Sequence, residues 1–102
     1  MFYVTMTDKF MSGWGLAEGK TNKLVIECET LAEAEIVESN ARRRSEMKHI
    51  NITNRKPYYS PRRYYVSWHN KQDYGSWFKP FGWIEIIRQI TELALLNLEN
   101  KE

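Results

Sequence analysis

The chain has very little cysteine and histidine. Cys28 is the single cysteine among 102 residues, so neither a disulfide nor a cysteine-based zinc site can form within one copy. In a predicted strand, Cys28 is expected to be a small buried apolar side chain. His49 and His69 are the only histidines, and a typical catalytic zinc site would need carboxylates to complete its three protein ligands. We predict neither a metal ion nor a cofactor.

Long apolar runs are also missing. No stretch approaches the ~20 apolar residues that cross a bilayer, and the N-terminus lacks the basic start and apolar run of a signal peptide. These absences predict a cytoplasmic protein without a membrane partner. The net charge of only +2 excludes a protein that imitates DNA through its overall charge. The length predicts one domain spanning residues 1–102.

Alternating apolar residues predict four strands, at 2–6, 23–29, 48–54 and 62–68. In the second strand, Leu24, Ile26 and Cys28 form one apolar face. A helix should follow it, because Thr30 and Glu33 have the spacing of a capping box. The helix should bury a stripe of residues at helical spacing, namely Leu31, Ala34, Val37 and Ala41.

A second helix is predicted from Trp83, with a broad apolar side made of Trp83, Ile84, Ile87, Ile90, Leu93, Ala94 and Leu98. That side fits packing on a sheet and a homodimer contact equally well. The fold class is therefore α+β: a ββαββα order forming a twisted mixed sheet of about four strands, with helices on one face. The strand–helix–strand unit makes the second and third strands parallel neighbours in this prediction.

The segment "GWGLAEGKT", residues 13–21, resembles a phosphate-binding loop only in part. That motif needs its first glycine where this chain has Trp14. It also needs a helix after the Gly-Lys-Thr end, and here a strand follows. We therefore predict a flexible loop between strands, or alternatively a functional loop with Trp14 exposed at its tip.

The basic–aromatic tract, "RKPYYSPRRYY" at residues 55–65, is the clearest candidate for a functional surface. Cations attract phosphates, and aromatic rings stack on unpaired bases. Three interpretations stay open: a nucleic-acid contact, a contact with an acidic protein, or tyrosines that merely close a small core. If Tyr65 points to the core, Tyr64 and Val66 point away. Arg42, Arg43, Arg44 and Lys48 extend the basic region.

Catalytic candidates are few. His69 and Asp73 lie four residues apart and are placed to form a base and its orienting carboxylate, but no nucleophile is marked beside them. We predict that the chain is not an enzyme. A small enzyme or nucleotide-binding domain using His69 and the glycine loop is the third hypothesis.

Over residues 1–68, the chain contains the segments "SGWG", "EGKTNKLV" and "AEIVE", followed by "KPYYS". With these segments it resembles the products of short open reading frames in accessory regions of bacteriophages and prophages. This resemblance implies action by binding to host defence machinery, as anti-CRISPR inhibitors do, or to DNA or host enzymes.

The leading hypothesis is therefore a non-enzymatic phage-type inhibitor of a host defence nuclease or nucleoprotein. The alternative is a direct single-stranded nucleic-acid binder that uses the sheet face. The predicted contact residues are Trp14, Arg42, Arg43, Arg44, Arg55, Lys56, Tyr58, Tyr59, Arg62, Arg63 and Tyr64.

Overall fold

The structure is a computed structural model that describes residues 1–80, 82, 90, 91 and 94. These residues form an α+β domain with the strands β1 (Phe2–Asp8), β2 (Thr21–Cys28), β3 (Met47–Thr53) and β4 (Tyr64–His69) and the helix α1 (Leu31–Arg42). Two 3₁₀ turns, Gly15–Ala17 and Gly75–Phe78, lie in the connections. All four predicted strands and the first predicted helix are present, with ends that differ by one or two residues from the predicted ones.

The strands form one mixed sheet in the order β3-β1-β2-β4. β1 pairs antiparallel with both β2 and β3, and β2 pairs parallel with β4. The prediction that β2 and β3 would be neighbours was therefore wrong, although the two strands do run in the same direction. A helical crossover fixes the direction of the strands it joins but leaves space for another strand between them, and β1 occupies that space.

The core lies between α1 and one face of the sheet. β1 and β2 contribute alternate side chains to it, as predicted for Leu24, Ile26 and Cys28. The residues that complete this buried cluster are Val4, Met6, Ala34, Val37, Ala41, Met47, Trp77 and Phe78. Leu31 was expected in the helical stripe, but this first helical residue is exposed. Trp77 and Phe78 come from the connector after β4, residues 69–82, in which Gly75, Pro80 and Gly82 predict no regular element; its part Gly75–Phe78 is a short 3₁₀ turn.

The start of α1 is capped as predicted. The hydroxyl of Thr30 accepts a hydrogen bond from the Glu33 amide at 3.1 Å. The Glu33 carboxylate in turn accepts from the backbone N–H of Glu29, also at 3.1 Å, rather than from that of Thr30. The Thr30 hydroxyl thereby satisfies one of the amides that a helix start leaves unpaired, and the Glu33 carboxylate fixes the backbone just before the cap.

The predicted second helix, with its homodimer alternative, lies almost entirely outside the described residues. Of its members, Ile90, Thr91 and Ala94 are described, and all three are helical and exposed. The ββαββα order is therefore established only as ββαββ. Within the described part of the chain, no helix has the length and apolar character to cross a membrane.

The other sheet face, called the open face here, is the one turned away from α1. The strand register places Tyr3, Thr5, Val25, Trp68 and, further along, Lys23 and Tyr64 on it. Residues 54–63, called the strap, join the edge strand β3 to the opposite edge strand β4. Because β3 and β4 run in the same direction, the strap has to traverse the sheet, and its contacts place it over the open face.

Candidate binding surfaces

The first half of the strap covers Trp68. The Lys56 ammonium lies 5.5 Å from the centre of the Trp68 ring. The Tyr3 ring meets Trp68 edge-on, with 6.3 Å between ring centroids. Between them in the register lies Val25, which is fully buried although it belongs to the open face. These aromatic rings and the strap therefore shield the open face from solvent. Among the described residues, the helix α1 covers only the other face.

The second half of the strap is held by Lys23. Its ammonium donates to the Thr7 hydroxyl at 2.6 Å and lies 5.5 and 5.7 Å from the rings of Tyr59 and Tyr64. These two tyrosines contact each other at 5.4 Å between centroids. Burial lowers the pKa of Lys23, because a charge is less stable away from water. Tyr59 and Tyr64 of the basic–aromatic tract thus cover part of the open face and do not belong to the core beneath α1.

The rest of the tract faces outward. Tyr58 is 84% exposed, and Arg55, Arg62 and Arg63 are exposed too. Among the described residues, none of these three arginines has an ion-pair partner. The strap therefore has an inner side of Tyr59 and Lys56, and an outer side that is cationic.

The predicted basic surface is divided between the two ends of the sheet. Arg42, Arg43 and Arg44 end α1, near the start of β3, whereas Arg55 follows the end of β3. Arg42 pairs with Glu38 at 3.4 Å, and Arg44 pairs with Glu46 at 3.8 Å. The Arg44 guanidinium also lies 4.4 Å from the centre of the Trp77 ring. Arg44 therefore connects the end of α1 to Glu46 and to Trp77, and the sequence did not reveal these two contacts.

The glycine loop, residues 9–20, is fastened by its own hydrogen bonds. The Ser12 hydroxyl donates to the Asp8 carbonyl at 2.7 Å and accepts from the Asn22 amide at 2.9 Å. The Gly13 amide donates to the carbonyls of Ala17 and Lys20. Most amides of the loop donate within it or to its ends, and a strand follows it, so it lacks the free amides and the helix start that a phosphate-binding loop uses. The expected flexible loop is instead closely hydrogen-bonded.

The backbone conformation of this loop explains why glycine occupies three of its positions. Gly13 has φ 84°, Gly15 has φ 51° and Gly19 has φ 71°. Other residues rarely adopt such angles. The three turns bend residues 9–20 into a compact projection between β1 and β2.

The projection carries an exposed apolar cluster, called the apolar tip here. Trp14 is 70% exposed, Leu16 79% and Phe10 74%, and Met11 is also exposed. Beside it, a groove of about 640 Å³ is lined by Lys9, Phe10, Met11, Trp14, Ser45 and Glu46. The sequence indicated Trp14 but missed Phe10, Met11 and Leu16. Their signal was three large apolar residues in an otherwise polar, glycine-rich connection.

Cations surround the apolar tip. The Lys9 amide donates to the Glu46 carbonyl at 2.8 Å, and the Thr21 amide donates to the Arg63 carbonyl at 3.0 Å. These bonds bring the α1–β3 connection and the start of β4 to the end of the sheet that carries the loop. Lys9 and Lys48 line a second, smaller groove there. Arg62 and Arg63 thus lie at the same end of the sheet as Trp14, whereas Arg55 and Lys56 follow the other end of β3.

His69 and Asp73 form the predicted pair, with His69 Nδ1 2.9 Å from Asp73 Oδ2. The Asn70 amide donates to the other carboxylate oxygen at 2.7 Å and, with the His69 hydrogen bond, holds the pKa of Asp73 below its usual value. The imidazole stacks on Tyr74 at 3.9 Å. This arrangement fastens the turn after β4.

Other chemistry receives no support from the described side chains. Burial and the nearby Glu33 charge raise the pKa of the Cys28 thiol to about 11, so it is a poor nucleophile. Within the described ranges, no three His, Cys, Asp or Glu side chains come together as metal ligands would.

Comparison with known proteins gives no match to a family model, to a curated protein or to a solved structure. The resemblance to phage accessory proteins therefore stays a prediction.

Proposed function

We propose that this chain is a non-enzymatic binding protein that docks on another protein through the apolar tip. The observation that carries the proposal is the exposure of Phe10, Met11, Trp14 and Leu16 on a loop whose backbone is fixed by internal hydrogen bonds. Large exposed apolar groups cost solubility, and a contiguous cluster of them is typical of an interaction site.

The geometry of the loop favours strong binding. A surface that is already ordered loses little conformational freedom when it associates, so more of its contact energy remains as affinity. Tryptophan is enriched among residues whose truncation costs the most at interfaces. Trp14 is therefore the expected anchor, with Leu16 and Phe10 beside it.

The cations around the tip indicate the chemistry of the partner. Lys9, Lys48, Arg62 and Arg63 are exposed at this end and outnumber its carboxylates, because Glu18 is exposed on the loop and Glu46 pairs with Arg44. Opposite charges across an interface speed association and exclude wrong partners. The complementary surface is an apolar groove with an acidic rim.

The most concrete form of this function is inhibition of a host defence nuclease or nucleoprotein, which rests on the resemblance to phage accessory proteins. A basic tip would be repelled from the cationic channel in which a nuclease holds its nucleic acid. It would be attracted to carboxylates, including those that hold catalytic metal ions. We therefore favour obstruction of an acidic site over imitation of nucleic acid.

Two experiments test the proposal. The first measures the plating efficiency of a phage that the host's own defence restricts, with and without this protein. Restored plating should be lost in the double variant Trp14→Ser, Leu16→Ser. Leu31→Ser is the matched control, because Leu31 is also an exposed apolar residue but lies at the start of α1, at the opposite end of the sheet from the tip. Restored plating by the double variant would overturn a role for the tip, and no effect of the wild type would overturn the anti-defence form.

The second experiment separates protein binding from the anti-defence form. A photo-crosslinking amino acid is placed at position 16 or at position 31 in cells that express the protein. Position 16 should give one discrete crosslinked protein that position 31 does not give, and Trp14→Ala should weaken binding to that protein at least about tenfold. The same crosslinks from both positions would contradict docking through the tip.

A further inference from the structure

We propose a second binding site, for single-stranded nucleic acid, at the strap side of the open face. A base stacks on Trp68, and Lys56 and Arg55 contact the adjoining phosphates. The site lies apart from the apolar tip and does not depend on the proposed protein docking. Together, the two surfaces fit a nucleoprotein, which presents both protein and exposed nucleic acid.

The strap is held weakly where it covers Trp68. Residues 56–59 form no hydrogen bond to any described residue, and their attachments are ring and cation–π contacts. An exposed cation–π contact is among the weaker interactions in a protein. Lys56 can therefore leave the Trp68 ring for a phosphate, and a base can take its place on the ring.

The charge along this part of the chain suits a polyanion. No Asp or Glu occurs from residue 47 to residue 72. In that interval the strap itself carries Arg55, Lys56, Arg62 and Arg63. The acidic residue on this face is Glu27, which pairs with Tyr3 in the register. Phosphates that follow the strap toward Arg62 move away from it.

The aromatic groups select single strands. Trp68 is 38% exposed and is set within the sheet face, with Tyr3 against its edge. A base reaches such a ring only when it is unstacked from its neighbours, which a duplex does not allow without opening. Tyr58 on the outer side of the strap offers a second ring. Stacking of this kind tolerates any base, so little sequence preference is expected.

The test is fluorescence anisotropy of the full chain with labelled 12-nucleotide DNA and RNA strands and the matched duplex, at 50 and 200 mM salt. We expect micromolar binding of the single strands, weaker duplex binding and a steep loss with salt. Trp68→Leu should weaken binding about 5- to 150-fold, the range for loss of one stacked base. Lys56→Gln should reduce the salt slope by about 0.7, the value for one phosphate contact on a single strand.

Trp68→Phe is the rescue variant, because it keeps a ring, and it should bind more tightly than Trp68→Leu. Trp14→Ser should leave oligonucleotide binding unchanged, so failure here is distinguishable from failure of protein docking. No binding at 50 mM salt, equal binding of the duplex, or Trp68→Leu with full affinity would overturn the proposal. Should Trp68→Leu fail to fold, Lys56→Gln carries the test, and an unchanged salt slope of that variant would overturn the proposal as well. Polyglutamate that competes as well as the oligonucleotide would point to an acidic protein instead.

Discussion

The side chain of Asn40 on α1 donates two hydrogen bonds to the segment after β4, to the carbonyl of Trp77 and to that of Lys79, each at 2.8 Å. One amide group thus fixes the 3₁₀ turn that delivers Trp77 and Phe78 to the core. Asn40→Ala should lower the free energy of unfolding by about 1–3 kcal/mol, because both carbonyls lose their donor. Urea unfolding measures the difference. Ser39→Ala, a change at the exposed neighbour, is the control, and an equal effect of the two variants would contradict the role of Asn40.

The helix cap gives a second prediction. Thr30→Ala removes the acceptor of the Glu33 amide and should cost about 0.5–2 kcal/mol of stability. Thr30→Ser keeps a hydroxyl and should recover most of that loss. Thermal unfolding of the two variants gives the comparison. If both variants lose the same stability, the hydrogen bond from the Glu33 amide to the Thr30 hydroxyl does not stabilise the helix.

These two contacts differ in how far the sequence revealed them. The cap between Thr30 and Glu33 is local, and so is the alternation of Leu24, Ile26 and Cys28, so spacing alone predicted both. The bond between Asn40 and Trp77 joins residues that are distant in sequence, and no local pattern marks it. The place of β1 between β2 and β3 was missed for the same reason, since strand neighbours are chosen by tertiary packing.

The candidate surfaces follow the same division. The composition of the tract identified its cations and tyrosines, but strand pairing decided that Tyr59 meets Lys23 while Tyr58 faces outward. Trp14 was recognisable as an aromatic residue in a glycine-rich loop. Its exposure beside Leu16 depends on hydrogen bonds that only the folded loop contains.

The buried thiol gives a third prediction. With a pKa of about 11 and almost no exposure, Cys28 should react very slowly with a thiol reagent at pH 8 in the folded protein. The rate should rise steeply as urea populates the unfolded chain, because labelling then follows opening. Absorbance during labelling measures the rate. Rapid labelling without urea would show that the C-terminal end of β2, where Cys28 lies, opens readily in the folded protein.

The carboxylate of Asp73 gives a pH dependence. Its pKa in the folded protein lies below the ordinary value of 3.8, through the Asn70 amide first and His69 second. The stability that it contributes is therefore complete above about pH 4–5 and is lost as the pH falls through the lowered pKa. Asp73→Asn should melt below the wild type at pH 7, and the gap should close toward pH 2.5. A difference in melting temperature that stays constant with pH would show that Asp73→Asn acts through the geometry of the side chain and not through the loss of its charge.

Arg62 and Arg63 on the outer side of the strap give a fifth prediction. Arg62→Ala with Arg63→Ala should change stability by less than about 0.5 kcal/mol, because both side chains are exposed and Arg63 joins the sheet through its carbonyl. Binding of the partner protein should nevertheless weaken, since both cations lie beside the tip. Melting temperature and affinity of the same variant are measured together. A large loss of folding would show that the pair is structural.

The parallel pairing of β4 at the end of a ten-residue traverse has a consequence for how the chain assembles. Residues 1–53 contain a three-stranded sheet and its helix, so β4 is expected to dock late and to release first. Its amides should therefore exchange with deuterated water before those of β1. A released β4 leaves the backbone of β2 unpaired, and the strap is long enough for the strand to reach a neighbouring molecule. At high concentration, two copies of the protein should trade this strand and form a swapped dimer.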